Sequence, residues 1–269
     1  MTDTHRVELG TIQETMLLTL ADRAVDARKK RSILQDTKAI EIIDSIDHPL
    51  ARSGGIHQGT VTRTAIYDSL VRGFLDRHPA GTVVEIGSGL NTRFERLDNG
   101  RVHWIDLDMP DSIEVRREFF ADTDRRRMLA GSALDNDWHD TVAGLPGPYL
   151  FVSEGVLAYL PRGDVDKALA EIAGHFPGAT IVFDTYNRRT FRKTNRLADK
   201  GKMDARFAWS CEDPREFESL GFTLVSSTSI TKPPREVRDR LPVGLRIALP
   251  VLHPVGKNLF RLNMFRAPE

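Results

Sequence analysis

The chain has 269 residues, 40% hydrophobic and 28% charged, with 38 Lys and Arg balancing 38 Asp and Glu. This composition fits one or two globular domains and lacks the whole-chain positive charge of a nucleic-acid binder. The single cysteine, Cys211, excludes an internal disulfide and a multi-cysteine zinc site, and it favours a reducing compartment. No run approaches the ~20 apolar residues of a membrane span. The amino terminus carries Asp3, Glu8 and Glu14 and lacks a secretory apolar core, so a cytoplasmic protein with no membrane and no nucleic-acid partner is expected.

In chain order, residues 11–46 predict helix, because Ile12, Met16, Leu17, Leu20 and Ala24 form a helical stripe. Ser53-Gly54-Gly55 reads as a loop, and a second helical stretch covers roughly 60–77 with Ala65, Leu70, Phe74 and Leu75 as its apolar members. These segments are expected to form a helical cap over about 1–80, with one sheet-containing core from about 81 to 269 in a single domain. From Gly81 the pattern changes. Thr82–Ile86, Val102–Ile105, Arg127–Ala130, Tyr149–Val152 and Ala179–Phe183 are short β-rich runs, and the stretch 163–176 is a clear helix between the last two. Strands alternating with helices imply parallel βαβ units. Phe222–Ser227 and Leu259–Phe265 have no convincing crossover helix between them and are expected to finish the sheet as an antiparallel pair. The fold class is therefore α/β, Rossmann-like, with a mostly parallel seven-stranded sheet and an antiparallel last strand, the layout of class I methyltransferases. Residues 188–210, rich in Arg and Lys, and 232–257, with five prolines and two glycines, are long enough to be lid or substrate-pocket insertions.

The turn after the first strand, Glu85-Ile-Gly87-Ser-Gly89-Leu-Asn-Thr92, begins like a dinucleotide fingerprint and departs from it. Thr92 replaces the third glycine, which permits close helix–strand packing over a pyrophosphate. Glu85 would repel that pyrophosphate but can orient the cationic methionine part of S-adenosylmethionine. Gly87 and Gly89 allow a ligand to lie against the backbone. Asp108 lies 21 residues after Gly87, at the end of the second strand, where a ribose-binding carboxylate is expected. Asp106 is two residues away on an extended chain, so both side chains point the same way and either can reach the ribose.

Three segments resemble the leucine carboxyl methyltransferase family: Val84-Glu-Ile-Gly-Ser-Gly-Leu-Asn-Thr-Arg-Phe-Glu-Arg-Leu97, Trp104-Ile-Asp-Leu-Asp-Met-Pro110 and Ser153-Glu-Gly-Val-Leu-Ala-Tyr-Leu160. Gly131-Ser-Ala-Leu-Asp-Asn-Asp-Trp138 is most similar to the branch that holds the tetracenomycin polyketide synthesis O-methyltransferase. The resemblance implies that Arg23 and Arg63 hold the cofactor's carboxylate, which an arginine fork suits bidentately. It also implies that Gly87 lies under the cofactor, that Asp108 takes the ribose, and that Glu154 is the acidic residue after the fourth strand. Asn91-Thr92-Arg93 stands where the family has Asp-Thr-Arg. Ala133-Leu134 stands where the phosphatase-methylating branch has an adenine-contacting Asp-Leu, leaving Ser132 or Asp135 to supply the acceptor. No protein-binding extension is visible, which favours a small-molecule acceptor.

The remaining polar residues favour structural roles. Arg93 and Arg96, on a helix leaving the glycine turn, are expected in ion pairs, and Cys211 as a small buried side chain. His57, in the loop before Arg63, is the best-placed histidine for a general base, and no catalytic residue is assigned. Glu154, Asp184 and Asn187 imitate the oxygen ligands of metal-dependent phenol methyltransferases. The cofactor role of Glu154 leaves no metal expected. The expected activity is S-adenosylmethionine-dependent methyl transfer to a carboxyl or hydroxyl oxygen of a small molecule, a polyketide-type aromatic among the candidates. The alternatives are a catalytically inactive S-adenosylmethionine-binding protein and an NAD-dependent oxidoreductase, the latter disfavoured by Glu85 and Thr92.

Overall fold

The computed structural model describes residues 11–46, 58–200 and 206–269. The expected loop at Ser53–Gly55 and the candidate base His57 lie outside the described residues. The amino-terminal stretch forms two helices, α1 (Thr11–Ala27) and α2 (Thr37–Ser45). They are separated by a turn that the buried Asp26 carboxylate organises: its Oδ2 accepts from the Ile33 and Leu34 amides at 2.9 and 3.1 Å and from the Ser32 hydroxyl at 2.9 Å. Asp36 caps α2 by accepting from the Ala39 amide at 3.1 Å, satisfying one of the donors left free at a helix start. Helix α3 (Gln58–Arg77) follows.

The core alternates as the sequence pattern predicts: β1 (Thr82–Ile86), α4 (Arg93–Leu97), β2 (His103–Asp108), α5 (Pro110–Arg117), β3 (Arg126–Ala130), α6 (His139–Ala143), β4 (Tyr149–Ser153), α7 (Arg162–His175) and β5 (Thr180–Tyr186). Five parallel strands are extended by β6 (Thr223–Thr228) and β7 (Phe260–Arg266) to give the order β3-β2-β1-β4-β5-β7-β6. Strand β7 is inserted antiparallel between β5 and β6. The order reverses between β1 and β4, the crevice where α/β sheets bind ligands. Strand β1 is buried along its whole length, as a central strand covered on both faces must be.

One feature differs from the sequence expectations. The connection between β6 and β7 does contain helices, α9 (Arg235–Arg238) and α10 (Val243–Gly256), numbered after α8 (Arg188–Asp199). Five prolines mask the helical signal, since an interior proline removes an amide donor and crowds the preceding turn. Here Pro242 precedes α10, and Pro250 and Pro254 lie on its exposed side. Both the basic and the proline-rich insertion contribute side chains to the core. Val237, Leu241 and Leu249 join the core with Phe207. Among the described residues, no helix is long and apolar enough to cross a membrane.

Candidate active site

A cavity of about 470 Å³ opens at the carboxyl ends of β1 to β4, within the size range of small-molecule sites. Its floor is the turn from Ile86 to Asn91. Its walls come from Met16, Thr19 and Arg23 on α1, Arg63 and Thr64 on α3, Leu107 to Met109 after β2, Gly131 to Ala133 after β3, and Glu154 to Val156 with Tyr159 after β4. None of the described residues of 188–210 and 232–257 lines this cavity. The described part of the first insertion acts from behind. The Ala208 amide donates to the Ala158 carbonyl at 2.7 Å, the Trp209 indole to the Leu157 carbonyl at 2.9 Å, and the Phe207 ring packs on Tyr159. Together these contacts brace the short 3₁₀ turn Leu157–Tyr159.

Two glycines make the floor possible. Gly87 has φ +67°, and a Cβ there would lie 2.3 Å from Val156 Cγ2. Gly89 has φ +46°, with Met16 Cβ 3.1 Å from the position a Cβ would take. Left-handed backbone and close approach both require glycine. At the next strand end, Asp108 faces the same space. Its Oδ2 accepts from the Gly89 amide at 2.6 Å and its Oδ1 from the Met109 amide at 2.7 Å. Each oxygen keeps a lone pair, and burial pushes this carboxyl above its ordinary range.

The arginines differ in what they have left to offer. Arg23 is nearly consumed: Nη1 donates to Asp36 and to the Thr92 hydroxyl, and Nη2 to the Leu90 carbonyl, all at 2.7 Å. Burial lowers its affinity for a proton below the arginine norm. Arg63 gives only its Nε, to Glu154 Oε1 at 2.9 Å, so its two terminal nitrogens have no partner among the described residues. Glu154 also accepts from the Thr64 hydroxyl at 2.8 Å and from Arg93. Burial alone would raise the Glu154 carboxyl, yet Arg63 and Arg93 hold it below the usual carboxylate range.

Seven of the ten residues singled out from sequence therefore line one cavity: Arg23, Arg63, Gly87, Gly89, Asp108, Ala133 and Glu154. Glu85 and Asp106 lie beneath it. Glu85 accepts from Asn91 Nδ2 at 2.7 Å and pairs with Arg93. Asp106 is enclosed by Arg116 at 2.9 Å and Arg126 at 2.7 Å, and also accepts from the Trp104 indole. Leu134 does not line the cavity. Its amide donates to Ser132 Oγ at 3.1 Å, and Asp135 folds back to accept from the Ser132 amide at 3.0 Å. Of the two substitute acceptors, Ser132 borders the cavity and Asp135 does not.

Sequence reasoning missed the network that supports these residues. Fully buried Arg93 bridges Asp68, Glu85 and Glu154, and Arg96 links Asp68 to Asp36, which in turn holds Arg23. Four arginines, counting Arg63, balance four carboxylates. Their spread from residue 23 to residue 154 gave no local pattern; only the ion-pair reading of Arg93 and Arg96 pointed toward it.

The cavity fits S-adenosylmethionine on its own chemistry. The floor would be filled by any side chain at Gly87, and Ser88 Oγ and Asn91 Oδ1 on that floor are buried polar atoms without a hydrogen-bond partner. The sheet order, the switch-point cavity and the glycine turn together define a class I S-adenosylmethionine-dependent methyltransferase. The profile described as leucine carboxyl methyltransferase matches residues 16–173, and the chain belongs to that family. It is 34% identical to the tetracenomycin polyketide synthesis O-methyltransferase TcmP of Streptomyces glaucescens, across 79% of this chain and 80% of that one. It is 28% identical to the S-adenosyl-L-methionine-dependent methyltransferase dpfgK of Gibberella zeae, across 81% of each. Among solved structures, a duf574 family protein from Streptomyces avermitilis shares the fold with a TM-score of 0.58 at 12% identity, over 85% of this chain and 95% of that one.

Proposed function

We propose that this methyltransferase acts on an oxygen, a carboxyl or hydroxyl group of a small molecule of the polyketide-type aromatic class. The observation that carries the site assignment is the unpaired fork of Arg63 on the cavity wall. Arg63, backed by Arg23, would receive the cofactor's carboxylate; Asp108 would accept from the ribose hydroxyls; Gly87 and Gly89 would let the ligand approach the turn; Ala133 and Ser132 would border the adenine. Bound S-adenosylmethionine supplies an electrophilic methyl group. The chain's own contribution is then positioning, holding donor and acceptor in line at near-attack distance. Glu154 holds Arg63 from one side and keeps its fork aimed inward.

Oxygen as the acceptor is supported by the likeness to TcmP, whose printed name is that of a polyketide O-methyltransferase. A carboxylate is already ionised at neutral pH and needs no base, whereas an ordinary phenol, with a pKa near ~10, gains from one. No histidine of the described residues lines the cavity, which favours a carboxylate or a phenol acidified by its own ring system. The test is turnover with a panel of aromatic hydroxy acids, read by mass spectrometry and then by treatment with alkali. An alkali-labile product marks a methyl ester and a stable one an aryl ether. Methylation at nitrogen or carbon alone would overturn the oxygen assignment.

A further inference from the structure

The outward side of α10 has no partner among the described residues. Val243, Ile247, Val251 and Val255 recur at intervals of four along it, with exposures of 59, 71, 78 and 68%, and Leu252 adds a fifth at 50%. These are five of the eight large apolar side chains exposed among the described residues, so the apolar surface is concentrated on one helix face rather than scattered. Leu249 on the opposite side is buried and anchors the helix. Helix α8 is the electrostatic counterpart. Arg188, Arg189, Arg192, Lys193 and Arg196 fall on one face and are all exposed, and none of their side chains is in an ion pair among the described residues, although the Arg188 amide donates to Glu212 Oε1 at 2.8 Å.

The two helices leave the sheet together. Tyr186 at the end of β5 pairs with Phe260 at the start of β7, and the Thr190 hydroxyl donates to the Leu259 carbonyl at 2.8 Å. The start of α8 thus touches the turn that follows α10, on the carboxyl edge of the sheet that also carries the cavity.

We propose that α8 and α10 together form a surface for peripheral attachment to an anionic lipid membrane, with the α10 face entering the boundary between headgroups and acyl chains and the α8 cations meeting the phosphates. An interfacial helix joins an apolar face to one rich in Lys and Arg; here the two faces are divided between α10 and α8. A second copy of the chain fits less well, because a twofold contact sets the same patch against itself and would bring cations against cations. The absence of a spanning stretch, from which no membrane partner was expected, bears on crossing and not on surface attachment.

The test is flotation of the full chain with phosphatidylcholine vesicles, with and without phosphatidylglycerol. Flotation is expected only with phosphatidylglycerol and is expected to weaken in high salt. Ile247→Asp/Val251→Asp should abolish it. Arg189→Glu/Arg192→Glu/Lys193→Glu should weaken it by about fivefold for each cation removed. All five side chains are exposed, and calorimetric binding of S-adenosylhomocysteine checks that each variant is folded; Ile247→Ser/Val251→Ser is the milder replacement if the aspartates disturb folding. Absence of flotation with phosphatidylglycerol vesicles overturns the proposal, as does flotation that survives the α10 substitutions. A dimer in sedimentation velocity that Ile247→Asp/Val251→Asp disperses, without vesicle binding, would assign the face to a second copy and overturn it. So would binding to polyglutamate without vesicle binding, which would point to an acidic protein.

Discussion

Arg63 and Asp108 are charged side chains of the cavity wall that keep hydrogen-bonding capacity toward a ligand. Removing either takes away a charge-assisted contact worth about 1.5–3 kcal/mol. Arg63→Ala and Asp108→Ala are each expected to weaken S-adenosylhomocysteine binding by roughly 10- to 100-fold in calorimetry. Unchanged affinity in both variants would remove them from the cofactor site. Arg93 behaves differently, because it touches carboxylates and not the cavity. Arg93→Met strips the cation from between Asp68, Glu85 and Glu154 and leaves buried negative charge uncompensated. Breaking a buried pair from one side costs about 3–5 kcal/mol, so a fall of roughly 10 °C in melting temperature is expected by calorimetric scan. A shift within a degree or two would show that the network contributes little to folding.

At the scale of elements, α1 links stability to the site. Its inner side, Leu17, Leu20 and Ala24, packs with Ile42 and Ile43 of α2 and with Ile113 of α5 in one apolar cluster. Its other side presents Met16, Thr19 and Arg23 to the cavity. Leu20 is fully buried, and Leu20→Ala is expected to cost about 2–5 kcal/mol through lost burial and the cavity left behind. Because the same helix forms a wall, the ligand affinity should fall as well. A destabilised Leu20→Ala protein with unaltered affinity would mean that the cap is not part of the binding wall. The first strands were legible because each short apolar run ends in a polar turn. Helix α10 was not, because its prolines erase the local signal while Leu249 and the β7 pairing supply the order from outside.

For the molecule as a whole, the buried charges set opposing pH dependences. Burial pushes the Glu85 carboxyl up to about 7 from its ordinary 4.5, so between those values the folded state keeps a proton that the unfolded chain has released. That contribution weakens folding as pH rises through the window. Asp36, Asp68 and Glu154 are the reverse: against the cost of burial, neighbouring arginines hold them low. Their stabilisation is present above the ordinary carboxylate range and is lost as pH falls through their folded values. Glu85→Gln is therefore expected to flatten the decline in melting temperature between about pH 4.5 and 7 while leaving the acid limb in place. Parallel profiles for the two proteins would contradict the placement of a raised carboxyl at this position.

By itself the sequence determined the alternation of strands and helices, the glycine turn and the acid 21 residues after Gly87, because each is a local pattern written in consecutive residues. It also singled out Arg23, Arg63 and Glu154 through their resemblance to a family. Only the tertiary structure shows which of Asp108 and Asp106 faces the cavity: alternation puts both on one side of β2, but Arg116 and Arg126 close over Asp106 and leave Asp108 at the strand end. The same holds for Arg63 and Arg23, equal in the sequence and unequal in the fold. Their free donors depend on partners brought from distant positions, Glu154 for one and Asp36 with Thr92 for the other. Local preference fixes elements, whereas the availability of a charged group depends on what the folded chain packs around it.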